Sequence, residues 1–392
     1  MREIPVYLDV PALSLDRWAL SPEVVHLNHG SYGGCAASVL DAAIAMKRRL
    51  EAAPMRFFGT EWQGLVDRAR DELARFLHAP ADRLVFTPNA TSGVAIALAS
   101  CEVAAGDEIL TTDHTYRACR NQLERLARAR SARLVIVEVT LPFDPDAAVE
   151  AITRALTVRT RIALFDHITS PTAVIMPLER IIPLLPGVQV IIDGAHAPGQ
   201  IALDITALST LGLTYYAGNN HKWLCAPKST GFLYAGGPAK PLVTSHGASP
   251  DYGPANRLHA ELDWPGTYDP TAQLAVPDAI AALAAVGTIA VLADRNHRLA
   301  LALRDHVIDE MGGRKLAPDA SLGAMAALPI VLPPNVTPYQ LTQRLLRDNW
   351  ELPIVDWPGQ PLVRISAHLY NSLADGPPLV AKLRELGVSL SR

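Results

Sequence analysis

The chain has 392 residues, 49% of them hydrophobic and 19% charged, with a formal net charge of −4. This composition excludes a largely disordered chain and supplies no basic field for a nucleic-acid backbone. The length suffices for two or three structural units with a sizeable core.

Four cysteines, Cys35, Cys101, Cys119 and Cys225, stand far apart with no C-x-x-C pair. That points away from a zinc ribbon or a disulfide framework and towards a reducing cytoplasm. Residues 1–10 hold Glu3 and Asp9 and no basic-then-apolar leader, so export is not expected. The most apolar run, 279–293, is shorter than the roughly 20 residues that cross a bilayer, and a single buried core helix is predicted there.

From Leu73 onward, β-rich runs alternate with helical patterns, as in a parallel sheet covered by helices on both faces. Strands are predicted over 83–86, 108–111, 134–139, 161–165, 188–192 and 213–216. Helices are predicted over 93–100, 115–129, 145–155 and 177–184. Near-continuous apolar runs such as Val188-Gln189-Val190-Ile191-Ile192 suit strands buried on both faces. Residues 241–277, dense in Gly, Pro, Asp and Tyr, read as an irregular connection, a candidate interface or lid. Beyond Pro277, an Arg-rich helix over 294–310, strands over 326–332 and 362–366, and helices over 337–348 and 378–386 describe a smaller α+β unit.

Ligands of open α/β sheets bind at the carboxyl ends of the strands. The segment Thr87-Pro88-Asn89-Ala90-Thr91-Ser92-Gly93 feeds a helix start that Thr91 or Ser92 would cap, an anion site suited to a phosphate. Asp193-Gly194-Ala195-His196 puts a carboxylate and an imidazole at the end of a buried strand, where an ionised carboxylate needs a cationic partner. Lys222, one strand–helix–strand unit later, lies between Tyr215-Tyr216 and Trp223-Leu224. Burial there would lower its pKa and make it a nucleophilic amine or a proton shuttle. A lysine, a carboxylate for a pyridinium nitrogen and a helix N-terminus for a phosphate together describe a pyridoxal 5'-phosphate site. A metal-dependent hydrolase is the alternative, with Asp166, His167, Asp193, His196 and His221 as ligands. It leaves Lys222 without a role, and no H-E-x-x-H is present.

The sequence resembles the class V aminotransferase family of pyridoxal-phosphate enzymes. The resemblance runs from Leu27-Asn28-His29-Gly30-Ser31-Tyr32-Gly33 to Val363-Arg364-Ile365-Ser366 and is most specific over 89–93, 193–199 and 221–227. It implies fold type I, an α/β fold. A large cofactor-binding domain over 28–276 would have a mostly parallel seven-stranded sheet sandwiched by helices. A small α+β domain would span 277–392, and an N-terminal segment, 1–27, would pack on it.

The resemblance also implies roles for matching residues. Lys222 would form the cofactor aldimine and move protons at the substrate α-carbon, Asp193 would face the ring nitrogen, and His196 would hydrogen-bond the ring hydroxyl. Ala90, Thr91, Ser92, His221 and Asn219 would hold the phosphate, Asn219 standing where the family more often has serine. Tyr116 or His114 would stack on the ring, and Thr169 and Ser170 would touch its hydroxyl. Gly266-Thr267 would reach a neighbouring subunit's phosphate, implying a homodimer with shared active sites. Arg364 would clamp the substrate α-carboxylate through a guanidinium fork, and Asn28 and His29 would line the pocket nearby.

Epimerisation of a small amino-acid-type substrate is the first expectation, with β-elimination by a C–S lyase and transamination open. The second proton donor of an epimerase would be Tyr116, His114 or a water. A persulfide mechanism would need a cysteine in the C-terminal domain, and the last cysteine here is Cys225.

Overall fold

The computed structural model describes residues 11–249, 251 and 256–391. The strands in chain order are β1 (Val25–His26), β2 (Leu84–Thr87), β3 (Glu108–Thr112), β4 (Arg133–Val137), β5 (Thr160–Asp166), β6 (Gln189–Gly194) and β7 (Leu213–Asn219). They continue as β8 (Gly231–Ala235), β9 (Met325–Val331), β10 (Trp350–Glu351), β11 (Ile354–Val355), β12 (Leu362–Ser366) and β13 (Ser389–Leu390).

Seven of these form one sheet in the order β2-β8-β7-β6-β5-β3-β4. Six of its strands run in one direction, and β8, antiparallel to both β2 and β7, runs in the other. The alternation of side chains across each strand explains its burial on both faces. Val190 and Ile192 of β6 enter one apolar cluster with Phe165 and Phe232, whereas Ile191 enters a second with Ile162 and Leu164. The register aligns Asp166 with Asp193 and Asp193 with Ala217, so the carboxyl ends of β5, β6 and β7 finish at one level.

A smaller antiparallel sheet has the order β11-β12-β9-β13. The N-terminal segment is tied to the residues around it: β1 and β10 form a separate two-stranded parallel sheet, the Leu13 N–H donates to the Leu369 carbonyl at 2.8 Å, and the Ser366 N–H at the end of β12 donates to the Leu27 carbonyl at 2.9 Å.

Two expectations are corrected. The apolar run 279–293 is two helices, Val276–Ala284 and Ile289–Met311, with a 73° bend between the apolar stretches they belong to. Thr288 caps the second by accepting from the Val291 N–H, so a capping residue inside an apolar run ends one helix and begins another. No single described helix is long and apolar enough to cross a membrane. The connection 241–277 is partly ordered into the helices Arg257–Leu262 and Thr271–Leu274, and the buried Arg70 guanidinium binds Asp263 to anchor it.

Gly33 shows how closely the N-terminal segment approaches the site. Its φ is +70°, and a Cβ there would lie 2.0 Å from the His221 carbonyl oxygen and 2.8 Å from Lys222 Cα. Gly33→Ala is therefore expected to lower unfolding free energy by about 1–3 kcal/mol, measured by denaturant titration.

Candidate active site

A cavity of about 220 Å³ opens at the carboxyl ends of β5, β6 and β7 and at the start of the helix Ala90–Ser100. Its walls include Thr91, Tyr116, Asp166, Asp193, His196 and Lys222, with Ser31 and Tyr32 contributed by the N-terminal segment.

Lys222 follows the last strand-end turn of β7 and turns its amine towards the cavity, 3.2 Å from His196 Nε2. Burial and the nearby Arg364 cation bring its pKa down to about 8, while Asp193 and Asp166 pull the other way. His196 is buried and held neutral, and its Nδ1 accepts from the Trp223 indole N–H at 3.5 Å. A neutral ring accepting at Nδ1 carries its proton on Nε2, the atom beside Lys222. Because Lys222 is half deprotonated near pH 8, its reaction with an added aldehyde is expected to rise tenfold per pH unit below about 8 and level off above. Stopped-flow absorbance on apoenzyme checks this.

Asp193 is buried at the end of β6. One carboxylate oxygen accepts from the Ala195 N–H at 3.0 Å and the other from the Cys119 thiol at 3.1 Å. Beside it, Asp166 is equally buried; the backbone of Tyr116 and Ser170 donates to it, and its Oδ1 has no hydrogen-bond partner. Burial and mutual repulsion raise Asp166 well above the carboxylate range, and burial raises Asp193. Two neighbouring buried carboxyls share their charge unequally. A cationic ring nitrogen fits this acidic wall.

At the opposite wall, Asn89 caps the Ala90–Ser100 helix, its Oδ1 accepting from the Ser92 N–H at 2.9 Å and the Ser92 hydroxyl at 3.1 Å. The expected caps Thr91 and Ser92 instead occupy the first turn, with Thr91 facing the cavity. Asn219 accepts the Ala90 N–H at 2.8 Å through its Oδ1, which leaves its amide NH₂ as the group available to a ligand. His221 donates from Nδ1 to the Thr230 carbonyl at 3.0 Å, and burial lowers its pKa to about 4. Its Nε2 is thus an acceptor, and a phosphate oxygen meets it only across a shared proton. The helix N-terminus with Thr91 and the Asn219 amide makes a fitting phosphate cradle.

Arg364, on β12, is buried with neutral partners. It donates to the Ser170 carbonyl, to the Ser31 hydroxyl at 2.9 Å, and at 3.3 Å to Ser170 Oγ and Asn28 Oδ1. Its Nε lacks a partner, and burial lowers its pKa to about 10. A buried cation with no counter-charge is a ready receptor for a carboxylate.

Several expected residues lie elsewhere. His114 is fully buried, with Nδ1 on Thr172 Oγ1 at 2.7 Å, Nε2 on the Val139 carbonyl at 2.8 Å and its ring edge-on to Trp357, so Tyr116 is the ring of that segment that reaches the cavity. Thr169 bonds Thr172 and the backbone of Val174 within its own turn, whereas Ser170 lines the cavity. His29 turns away to Tyr370 OH at 3.0 Å and the Lys222 carbonyl at 3.1 Å. Thr267 is exposed and outside this cavity. Of the metal-ligand set, His167 is tied to Tyr216 OH at 2.8 Å and His196 faces Lys222. Among the described residues, the ligand-type side chains that converge are His29, Cys225 and His368. The two imidazoles stack 3.8 Å apart at 12°, so their in-plane lone pairs run side by side instead of meeting at an ion.

Sequence reasoning passed over Ser31, Tyr32 and Cys119, and took Asp166 only as a metal ligand. The alignment of Asp166 with Asp193 at predicted strand ends was the available signal.

The sequence model of the aminotransferase class-V family matches residues 35–246. The chain is 36% identical to isopenicillin N epimerase of Amycolatopsis lactamdurans, an alignment covering 94% of this chain and 96% of that one. It is 32% identical to putative L-cysteine desulfhydrase 2 of Oryza sativa subsp. japonica over 66% of this chain and 57% of that protein. A solved cystine C-S lyase, C-DES, in complex with cysteine persulfide has the same fold, with a TM-score of 0.82 at 22% identity over 93% of this chain and 98% of its own. Together with a match over more than half its length, these likenesses establish that the chain belongs to the class V aminotransferase family.

Proposed function

We propose that this enzyme binds pyridoxal phosphate in the 220 Å³ cavity and epimerises an amino-acid-type substrate at its α-carbon. The observation that carries the reading is that the Lys222 amine, the Asp193 carboxyl and the N-terminus of the Ala90–Ser100 helix border the same small space. Bound there, the cofactor supplies an electron sink for the pair released when an α-carbon bond breaks.

The chain's own residues do the rest. Asp193 holds the proton on the ring nitrogen, with Asp166 as a neutral neighbour. His196 donates from Nε2 to the ring hydroxyl. Thr91, through its hydroxyl and its own backbone N–H, and the Asn219 amide bind the phosphate at the positive end of the helix, with His221 across a shared proton. Arg364, brought by the 277–392 unit, receives the substrate carboxylate, with Asn28 and Ser31 fixing the guanidinium plane. Lys222 takes and returns the α-proton on one face. Tyr116 covers the ring and carries the hydroxyl for the other face, since both His114 nitrogens are engaged. The exposed Thr267 serves a second copy of the chain, in a homodimer with shared sites.

The near full-length likeness to isopenicillin N epimerase supports epimerisation. The likeness to cysteine desulfhydrases supports β-elimination as a second reading on the same residues. Incubation with amino acids in deuterated water separates them by NMR and chiral chromatography. Epimerisation incorporates α-deuterium in both configurations with the amino group retained. Ammonia with pyruvate from cysteine identifies elimination, and a keto acid without free ammonia identifies transamination.

A further inference from the structure

We infer that Cys119 is a positioning residue for Asp193: its thiol holds the negative charge on that carboxylate and so sets the pH range over which the cavity retains a cofactor with a cationic ring. The inference rests on the proposed pyridoxal-phosphate site and adds to it a residue that does not touch the ligand.

Cys119 lies in the first turn of the helix Arg117–Arg130, fully buried within the apolar cluster that holds Val94, Leu123 and Ile191. It is absent from the cavity wall, yet its Sγ is 3.1 Å from Asp193 Oδ2. For packing alone, alanine or valine would serve in such surroundings. The thiol is the donor of the pair, because burial and the adjoining Asp193 and Asp166 charges push its own ionisation far upward. A donor to the charged form of a carboxyl favours that form.

The charged and titratable groups facing Asp193 show why such a donor matters. Asp166 stands beside it in register on β5, Tyr216 faces it from β7, Tyr116 from the start of the Cys119 helix, and Lys222 from the turn after β7. The charge on Asp193 keeps Asp166 protonated and so unable to offset the burial of Asp193, while Lys222 supports ionisation of Asp193. Without the thiol, the Ala195 N–H is the one donor left on the carboxylate among the described residues. Asp193 would then keep its own proton to higher pH and could no longer pair with a protonated ring nitrogen.

The test is equilibrium dialysis of the wild-type holoenzyme and its variants against limiting pyridoxal phosphate between about pH 5 and 9, with retained cofactor read from visible absorbance. Cys119→Val, or Cys119→Ala if the valine protein fails to fold, is expected to raise the midpoint pH for retention by about half a unit to one unit. Affinity on the acid side falls by about three- to tenfold. Cys119→Ser, whose hydroxyl still donates, is expected to stay at or below the wild-type midpoint. A packing role would lower the melting temperature of valine and serine variants without separating their midpoints. Identical midpoints for wild type, valine, alanine and serine proteins overturn the inference. Failure of the wild type itself to take up the cofactor instead overturns the reading of the site.

Discussion

Lys222→Ala is expected to lower turnover by about 10⁴-fold or more, because the variant loses both its nucleophilic amine and the base at one face of the α-carbon. Folding should not suffer. The folded state disfavours the Lys222 charge, as its lowered pKa shows, so removing it relieves a cost that is present below about pH 8 and vanishes once the amine is neutral in both states. The thermal midpoint of the apoprotein is therefore expected to equal or exceed that of wild type at pH 7. Steady-state rates, scanning calorimetry and borohydride trapping of bound cofactor check the three parts. A Lys222→Ala protein with full turnover, or one that borohydride still links to cofactor, would exclude the assigned role.

Arg364→Leu is expected to cut kcat/KM by about 10³-fold, chiefly through KM, since a two-pronged contact to a carboxylate in a buried site is lost. The guanidinium has neutral partners and an unpartnered Nε, so the substitution also removes an uncompensated buried cation. The leucine protein is relieved of that cation but leaves the Ser170 carbonyl, the Ser31 hydroxyl and Asn28 Oδ1 without their donor, so it should stay folded with a modestly lower melting temperature, which separates loss of recognition from loss of structure. Arg364→Lys keeps the charge without the planar fork and is expected to recover about a tenth or less of the lost efficiency. Substrate analogues lacking the carboxylate provide the control: Arg364→Leu should handle them as poorly as wild type does. Unchanged KM for the intact amino acid would remove Arg364 from recognition.

Residues that chemistry isolates at strand ends were legible in the sequence. Asp193 and Lys222 follow short apolar runs that could only be strands, and their spacing matched one strand–helix–strand unit. What local pattern could not show is orientation. In Asn28-His29-Gly30-Ser31-Tyr32-Gly33, a single helical turn sends Ser31 and Tyr32 to the cavity and His29 back to Tyr370, because successive helical side chains point about 100° apart. Asn89 was overlooked as the cap although Ser92 stands at the third helical position after it, the spacing a cap needs. Strand β8 runs opposite to the others and follows an irregular turn, so the alternation of strand and helix gave no cue for it. Cys119 meets Asp193 across 74 positions of chain, a proximity that only the packing of helix on sheet creates.

The hydrogen bonds of Arg364 fasten three pieces of chain that are remote in sequence: the small sheet, the turn after β5 at Ser170, and the N-terminal stretch at Asn28 and Ser31. Under the proposed assignment, a substrate carboxylate would take the unpartnered Nε and compete for the N–H groups beside it. Occupancy of the site and the seam between the two sheets would thus draw on one guanidinium, which ties recognition of the substrate to the joint between the two units.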